Sequence, residues 1–242
     1  MLEPRFAWHL PAPLSLDPLV IARAAELGMS VRVVEILAGR GIDSVAAIDD
    51  YLGPALAGLH DPARLPDADR LVGRLLQARD IGQSVLVFGD FDADGLTGLA
   101  IMVRALRRFG LAAEPYVPSR QDEGHGLSQQ AVERAVAVGH RLIITVDTGS
   151  SSLAEVEAAT GLGIDVLITD HHRVPDPPPR AYALVNAHRP RATYPDDRLA
   201  GSGVAFKIAQ LLLADVPGGP DAALDLAELA AIGTVADVAP VL

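Results

Sequence analysis

The sequence predicts an α/β fold: a parallel sheet flanked by helices, preceded by a small helical segment. Three observations carry this. Short apolar runs rich in β-branched residues recur at 84–88, 142–146 and 164–168, each the length of a buried strand. Between them lie helix-length segments with apolar residues at intervals of three and four, so strand and helix alternate, as parallel sheets require. Each run ends in a short polar tip: Gly89-Asp90-Phe91-Asp92-Ala93-Asp94-Gly95, Asp147-Thr148-Gly149, and Thr169-Asp170-His171-His172. In such sheets ligands gather at the carboxyl ends of the strands, so these tips are expected along one edge.

The bulk properties bound the function. The chain has 242 residues, half of them hydrophobic, which is ample for one large domain with a small appendage. It contains no Cys, so any metal must be held by carboxylates and imidazoles, a donor set that favours Mg²⁺ or Mn²⁺. The N-terminus lacks a basic stretch followed by an apolar one, and no segment offers eighteen apolar residues without charge. A soluble cytoplasmic protein is expected. The net charge of −11 argues against a broad basic surface for nucleic acid, although it leaves room for a nuclease whose acidic site is offset by cations.

Taken in order, residues 1–65 read as a helical prelude. Asp17 and Pro18 open one helix, residues 31–38 form a second closed by Gly39 and Gly41, and Ser44 caps a third over 45–52. Trp8 and His9 read as packing and surface residues. Pro62 and Pro66 mark a boundary near residue 65, with residues 66–242 forming the main domain. A helix over 69–79 leads to the first strand, and a helix from Leu96 to Phe109 to the second, at 112–117. That strand ends in Pro118-Ser119-Arg120, followed by Gly124-His125-Gly126, a loop in which Arg120 would suit a phosphate. Ser128 opens a helix ending near Gly139, and another helix spans 152–159. A short strand at 183–185 leads to Asn186 and His188, the latter read as a surface or substrate-side residue and not a ligand. Gly201-Ser202-Gly203 lacks the preceding strand of a dinucleotide fingerprint, so its glycines read as helix packing. Residues 224–238 read as a final helix.

The acidic loop is the densest feature. Asp90, Asp92 and Asp94 at alternate positions repel one another unless a cation neutralises them. A calcium loop of this opening needs a Glu at its twelfth position and a helix in front; here the twelfth residue is Ile101 and a strand stands in front. A solvated acidic turn is the bland reading, and the Asp and His tips further on weigh against it.

Taken together and in this order, the Gly-Asp-Phe-Asp-Ala-Asp-Gly, Thr-Val-Asp-Thr-Gly and Thr-Asp-His-His tips and Gly233-Thr-Val-Ala-Asp237-Val-Ala-Pro240 resemble the four motifs of the DHH phosphoesterase superfamily. The flanks, Pro118-Ser-Arg120-x-x-Glu-Gly-His-Gly-Leu127, Leu184-Val-Asn186 and Leu199-Ala-Gly-Ser-Gly-Val-Ala-Phe-Lys207, resemble those of the RecJ single-strand-specific exonucleases. The resemblance implies a two-metal phosphodiesterase using Mn²⁺ or Mg²⁺, degrading single-stranded DNA from 5′ to 3′ in recombination and repair. By position, Asp92 would bind the first metal and Asp94 the second, with Asp147 bridging. His171 and Asp237 would complete the ligands of the second metal, His172 would contact the scissile phosphate, and Arg120 another phosphate of the strand. Asp90 would stand at the rim as a ligand or beside one, because Phe88 occupies the position where relatives with small substrates carry a ligating His. His125 stands where a Tyr is expected. Asp170 would either orient His171 or cap the turn.

The resemblance also implies a second, DHH-associated domain after Asp237, which this sequence lacks. The expectation is a catalytic half that binds metal and acts weakly or not at all on DNA alone. Two other readings are a DHH enzyme for short oligonucleotides, cyclic dinucleotides or pyrophosphate, and a non-catalytic scaffold. The scaffold should have lost ligands, and all six of Asp92, Asp94, Asp147, His171, His172 and Asp237 are present.

Overall fold

Alternation within the central strands places their side chains on two opposite faces, and both faces are buried. In β1 (Ser84–Gly89), Val85 and Val87 face one layer of helices while Leu86 and Phe88 face the other. The same division holds in β3 (Leu142–Val146), where Ile144 and Ile143 part company, and in β4 (Asp165–Thr169), where Leu167 and Ile168 do. Strands buried on both faces read as continuous apolar runs, which is why these segments stand out in the sequence.

The structure is a computed structural model describing residues 14–53 and 58–240. Trp8 and His9 lie outside the described residues. Residue contacts divide the chain into one unit ending at His60 and a second beginning at Asp61. The first holds α1 (Pro18–Glu26), α2 (Val31–Ala38) and α3 (Val45–Leu52) around Val20, Ala24, Val34, Leu37 and Ile48. The Asp17 carboxylate accepts from the Leu19 N–H and the Ser44 hydroxyl from the Ala47 N–H, satisfying amides that open a helix.

The second unit adds α4 (Ala68–Asp80), α5 (Ala93–Phe109), β2 (Ala112–Tyr116), α6 (Gln129–Val138), α7 (Leu153–Gly161), β5 (Ala183–Val185), α8 (Gly201–Leu213), α9 (Gly219–Leu224) and α10 (Ala227–Ala236). Its five strands pair in the order β2-β1-β3-β4-β5, all parallel. Helices α6 and α7 cover one face; α4, α5 and α8 cover the other. The chain leaves β1 toward β2 and returns to pair β3 on β1's other side. The carboxyl ends of β1 and β3 therefore diverge around a crevice, the place where doubly wound sheets bind ligands. No described helix is long and apolar enough to cross a membrane.

Three elements differ from the sequence reading. α5 starts at Ala93, not Leu96, because Asp92 is its N-cap and accepts from the Gly95 N–H at 2.9 Å; two of the loop's three carboxylates thus belong to a helix start. The final helix is shorter than read, covering Ala227–Ala236, and a separate short helix, α9, precedes it, with Leu226 buried at the break. α8 was legible only as packing glycines, since it is buried on nearly all sides and so shows no amphipathic period.

At the other edge of the sheet a buried polar chain ties three strands together. His140, just before β3, receives or donates at Nδ1 to the Ser84 hydroxyl (2.7 Å) and at Nε2 to Glu114 (3.0 Å), which also pairs with Arg134. His140, then Arg134, hold the Glu114 carboxyl below its ordinary pKa. Because the folded value is the lower one, the stabilisation is present above the ordinary glutamate range and is lost as pH falls through the depressed value. Glu114→Gln is expected to lower the melting temperature by roughly 2–4 °C at pH 7. The gap should narrow in melts run at pH values falling through and below the ordinary glutamate range; a gap independent of pH would contradict the assignment.

Candidate metal centre

Asp147 follows β3 directly and is 1% exposed. Its backbone is left-handed (φ 62°), uncommon for a residue with a side chain, and its N–H is tied to the Thr169 carbonyl at 2.9 Å. This conformation turns the carboxylate into the crevice between β1 and β3. Burial pushes its pKa up to about 7; Asp94 and Asp92 push the same way, and His171 opposes them.

Asp94, 2% exposed, lies in the first turn of α5. Its two oxygens accept the backbone N–H groups of Gly201 (2.6 Å) and Ser202 (3.0 Å), which open α8. A helix N-terminus presents unpaired donors and partial positive charge, so it holds a buried carboxylate well. The close approach needs glycine. A side-chain carbon at Gly201 would collide with the Asp147 carboxylate, and one at Gly233 with Ser202, Asp94 and Thr97.

The tip after β4 is organised by Asp170, itself 1% exposed. One oxygen accepts the N–H groups of His171 (2.8 Å) and His172 (3.1 Å) and faces His172 Nδ1 at 2.8 Å; the other accepts the Ser150 N–H. Asp170 thus caps the turn and orients His172, whereas the sequence suggested His171 as the ring it would orient. Its side chain raises the His172 pKa to about 9. For His171, burial pulls the pKa down but Asp147 outweighs it, and the net shift is upward.

The sequence-predicted carboxylates and imidazoles converge. Ligand atoms of Asp90, Asp92 and Asp147 lie within 4.8 Å of one another, as do those of Asp94, His171 and Asp237, and those of Asp147, His171 and His172. His171 Nε2 stands 3.1 Å from Asp147 Oδ1 and 3.9 Å from Asp94, while its Nδ1 is 3.9 Å from Asp237. Asp147 Oδ1 and His171 Nε2 are both buried, and neither completes a hydrogen bond. Two buried ligand atoms brought this close, with incomplete hydrogen-bond geometry between them, suit a cation site. The donors are oxygen and imidazole nitrogen, which suits Mn²⁺ or Mg²⁺.

One predicted residue sits differently from expectation. Asp90 is 4% exposed and not at the rim; it accepts from the Phe91 N–H and lies 3.1 Å from His125 Nδ1. Arg120 touches none of the cluster. Its guanidinium lies over the Phe91 ring at 5.2 Å, and the His125 ring meets the same ring in a tilted contact at 4.5 Å. The sequence reading missed Gly201, Ser202 and Gly233, which act through backbone approach, and Asn186. Asn186 is fully buried, and its amide donates to the Ser150 hydroxyl and the His172 carbonyl. Its position at the tip of β5 was the available signal.

The fold and this cluster define a DHH-type protein: the model of the DHH family N-terminal domain matches residues 84–234, and the chain belongs to that family. Within it, the chain is similar to the single-stranded-DNA-specific exonuclease RecJ. It is 35% identical to the Bacillus subtilis protein over 99% of this chain and 30% of that one. To the Escherichia coli protein it is 38% identical, over 85% of this chain and 37% of that one. The solved structure of RecJ in complex with Mn²⁺ from Thermus thermophilus superposes with a TM-score of 0.68 at 32% identity, covering 94% of this chain and 32% of that one. The chain spans about a third of the length of these curated relatives.

Gly201→Ala is expected to displace Asp147 and cost about 1–3 kcal/mol, the usual range for overpacking. Urea denaturation beside Gly161→Ala, whose added carbon meets nothing within 4 Å, checks this. Equal midpoints for the two variants would refute the packing role.

Proposed function

We propose that this chain is the catalytic part of a metal-dependent phosphodiesterase, a 5′-to-3′ exonuclease on single-stranded DNA serving recombination and repair in the cytoplasm. The observation that carries the reading is the overlap of the three ligand groups. Asp147 belongs to two of them and His171 to two, the arrangement needed when a pair of ions shares a bridging carboxylate. Membership in the DHH family and the likeness to RecJ supply the substrate class. Residues 66–242 would form the catalytic domain, behind the helical segment of residues 1–65.

In this reading Asp90, Asp92 and Asp147 hold one Mn²⁺ or Mg²⁺, and Asp94, Asp147, His171 and Asp237 the second. Bound there, two divalent ions supply Lewis-acid stabilisation of the entering and leaving oxygens during in-line displacement at phosphorus. The protein's own groups do the rest. Asp170 fixes the His172 ring and favours its protonated form, so Nε2 is presented as a donor to a non-bridging oxygen of the scissile phosphate. The α8 N-terminus keeps Asp94 oriented with its charge satisfied. Arg120, held over the Phe91 ring, would meet a neighbouring phosphate of the strand.

Titration calorimetry with Mn²⁺ tests the centre. The wild-type chain should take up two ions, and Asp147→Ala should weaken both at least ~100-fold, the upper end of what losing even an outer partner of a ligand costs. Its far-UV circular dichroism should be unchanged. Unaltered stoichiometry in the variant would remove Asp147 from the bridging role. Hydrolysis of 5′-labelled single strands with Mn²⁺ tests the substrate, and cleavage confined to dinucleotides or pyrophosphate would overturn the exonuclease assignment.

A further inference from the structure

Beside the cluster lies a cleft of about 260 Å³ whose lining includes His171, Asp237, His188, Asp197, Arg198 and Leu199. Two carboxylates face into it, so a nucleic-acid phosphate entering here meets repulsion unless a donor offsets it. Arg198 is already turned onto Asp196, its Nε at 2.8 Å. His188 is different. Its ring is exposed, and among the described residues that ring makes no hydrogen bond or ion pair.

The backbone of His188 is nevertheless held in place. Its N–H donates to Asn186 Oδ1 at 2.8 Å, while the amide of the same Asn186 grips the Ser150 hydroxyl and the His172 carbonyl. One buried side chain therefore couples the loop carrying His188 to the tip carrying His171 and His172. An uncommitted ring on a loop anchored to the reaction centre is suited to bind substrate.

We propose that His188 is a substrate-binding residue that donates a hydrogen bond to a backbone phosphate of the strand, next to the scissile one. This rests on the exonuclease reading above and adds to it a contact that favours a polynucleotide over a small phosphoester. A phosphate contact carries no base information, so its loss should weaken all sequences alike.

Binding of labelled thymidine and adenosine oligonucleotides, measured by anisotropy with Ca²⁺ present to slow hydrolysis, tests this. His188→Ala should weaken both about 3- to 10-fold, the worth of one hydrogen bond. His188→Gln, which keeps a donor, should recover most of the loss; His188→Phe, which keeps only a ring, should not. Mn²⁺ uptake should be unchanged in all three. In turnover, KM for oligonucleotides should rise with kcat nearly constant. Recovery by Phe alone, unequal losses on the two sequences, or a fall in kcat would each overturn the phosphate contact. Wild-type affinity in His188→Ala would remove this inference only, whereas hydrolysis confined to dinucleotides or pyrophosphate would also remove the strand as substrate.

Discussion

Two buried carboxylates, Asp94 and Asp147, face one another's surroundings with almost no water to screen them, and much of the second unit answers that constraint. A buried ionised carboxylate is costly unless it is hydrogen-bonded or paired. Asp94 is satisfied by the opening amides of α8. Asp147 is not: its Oδ1 lacks a hydrogen bond, its backbone sits in the left-handed region, and its pKa is driven upward. The fold tolerates this local cost because the sheet, α5 and α8 pack tightly around it, which is how strain persists at functional positions.

Topology supplies the place. Since β1 and β3 are neighbours whose chains depart in opposite directions, a crevice opens at their carboxyl ends. Asp90 and Asp92 come from one wall, Asp147 from the other, and β4 adds the His pair. α10 then returns to place Asp237 at 3.9 Å from His171. Four chain segments far apart in sequence meet there, so the centre forms only when the domain does.

The opposite edge of the sheet carries a comparable polar chain with a different purpose. Ser84, His140 and Glu114 are aligned as in a hydrolytic relay, yet His140 is buried and the Glu114 carboxylate is shared with Arg134. Their bonds join the starts of β1 and β3 to the middle of β2. Residue types alone do not define chemistry; the end of the strand on which they sit does.

The alternation of strand and helix, the parallel sheet and the polar tips at one edge were determined by the sequence, because period and strand length depend on local residue order. The Asp and His candidates after β1, β3 and β4 were legible for the same reason, since their tips follow apolar runs, whereas Asp237 was legible only through the resemblance its motif carries. Tertiary structure decided what depends on backbone approach. Nothing local to Gly201 or Gly233 reveals that Asp147 and Asp94 lie against them, and α8 hides its helical period because burial on every side removes the polar face that would mark it. The depth of Asp90, the choice of His172 over His171 as the ring Asp170 orients, and the coupling through Asn186 were likewise set by folding. Each is a distance between residues of different segments, and only packing fixes such distances.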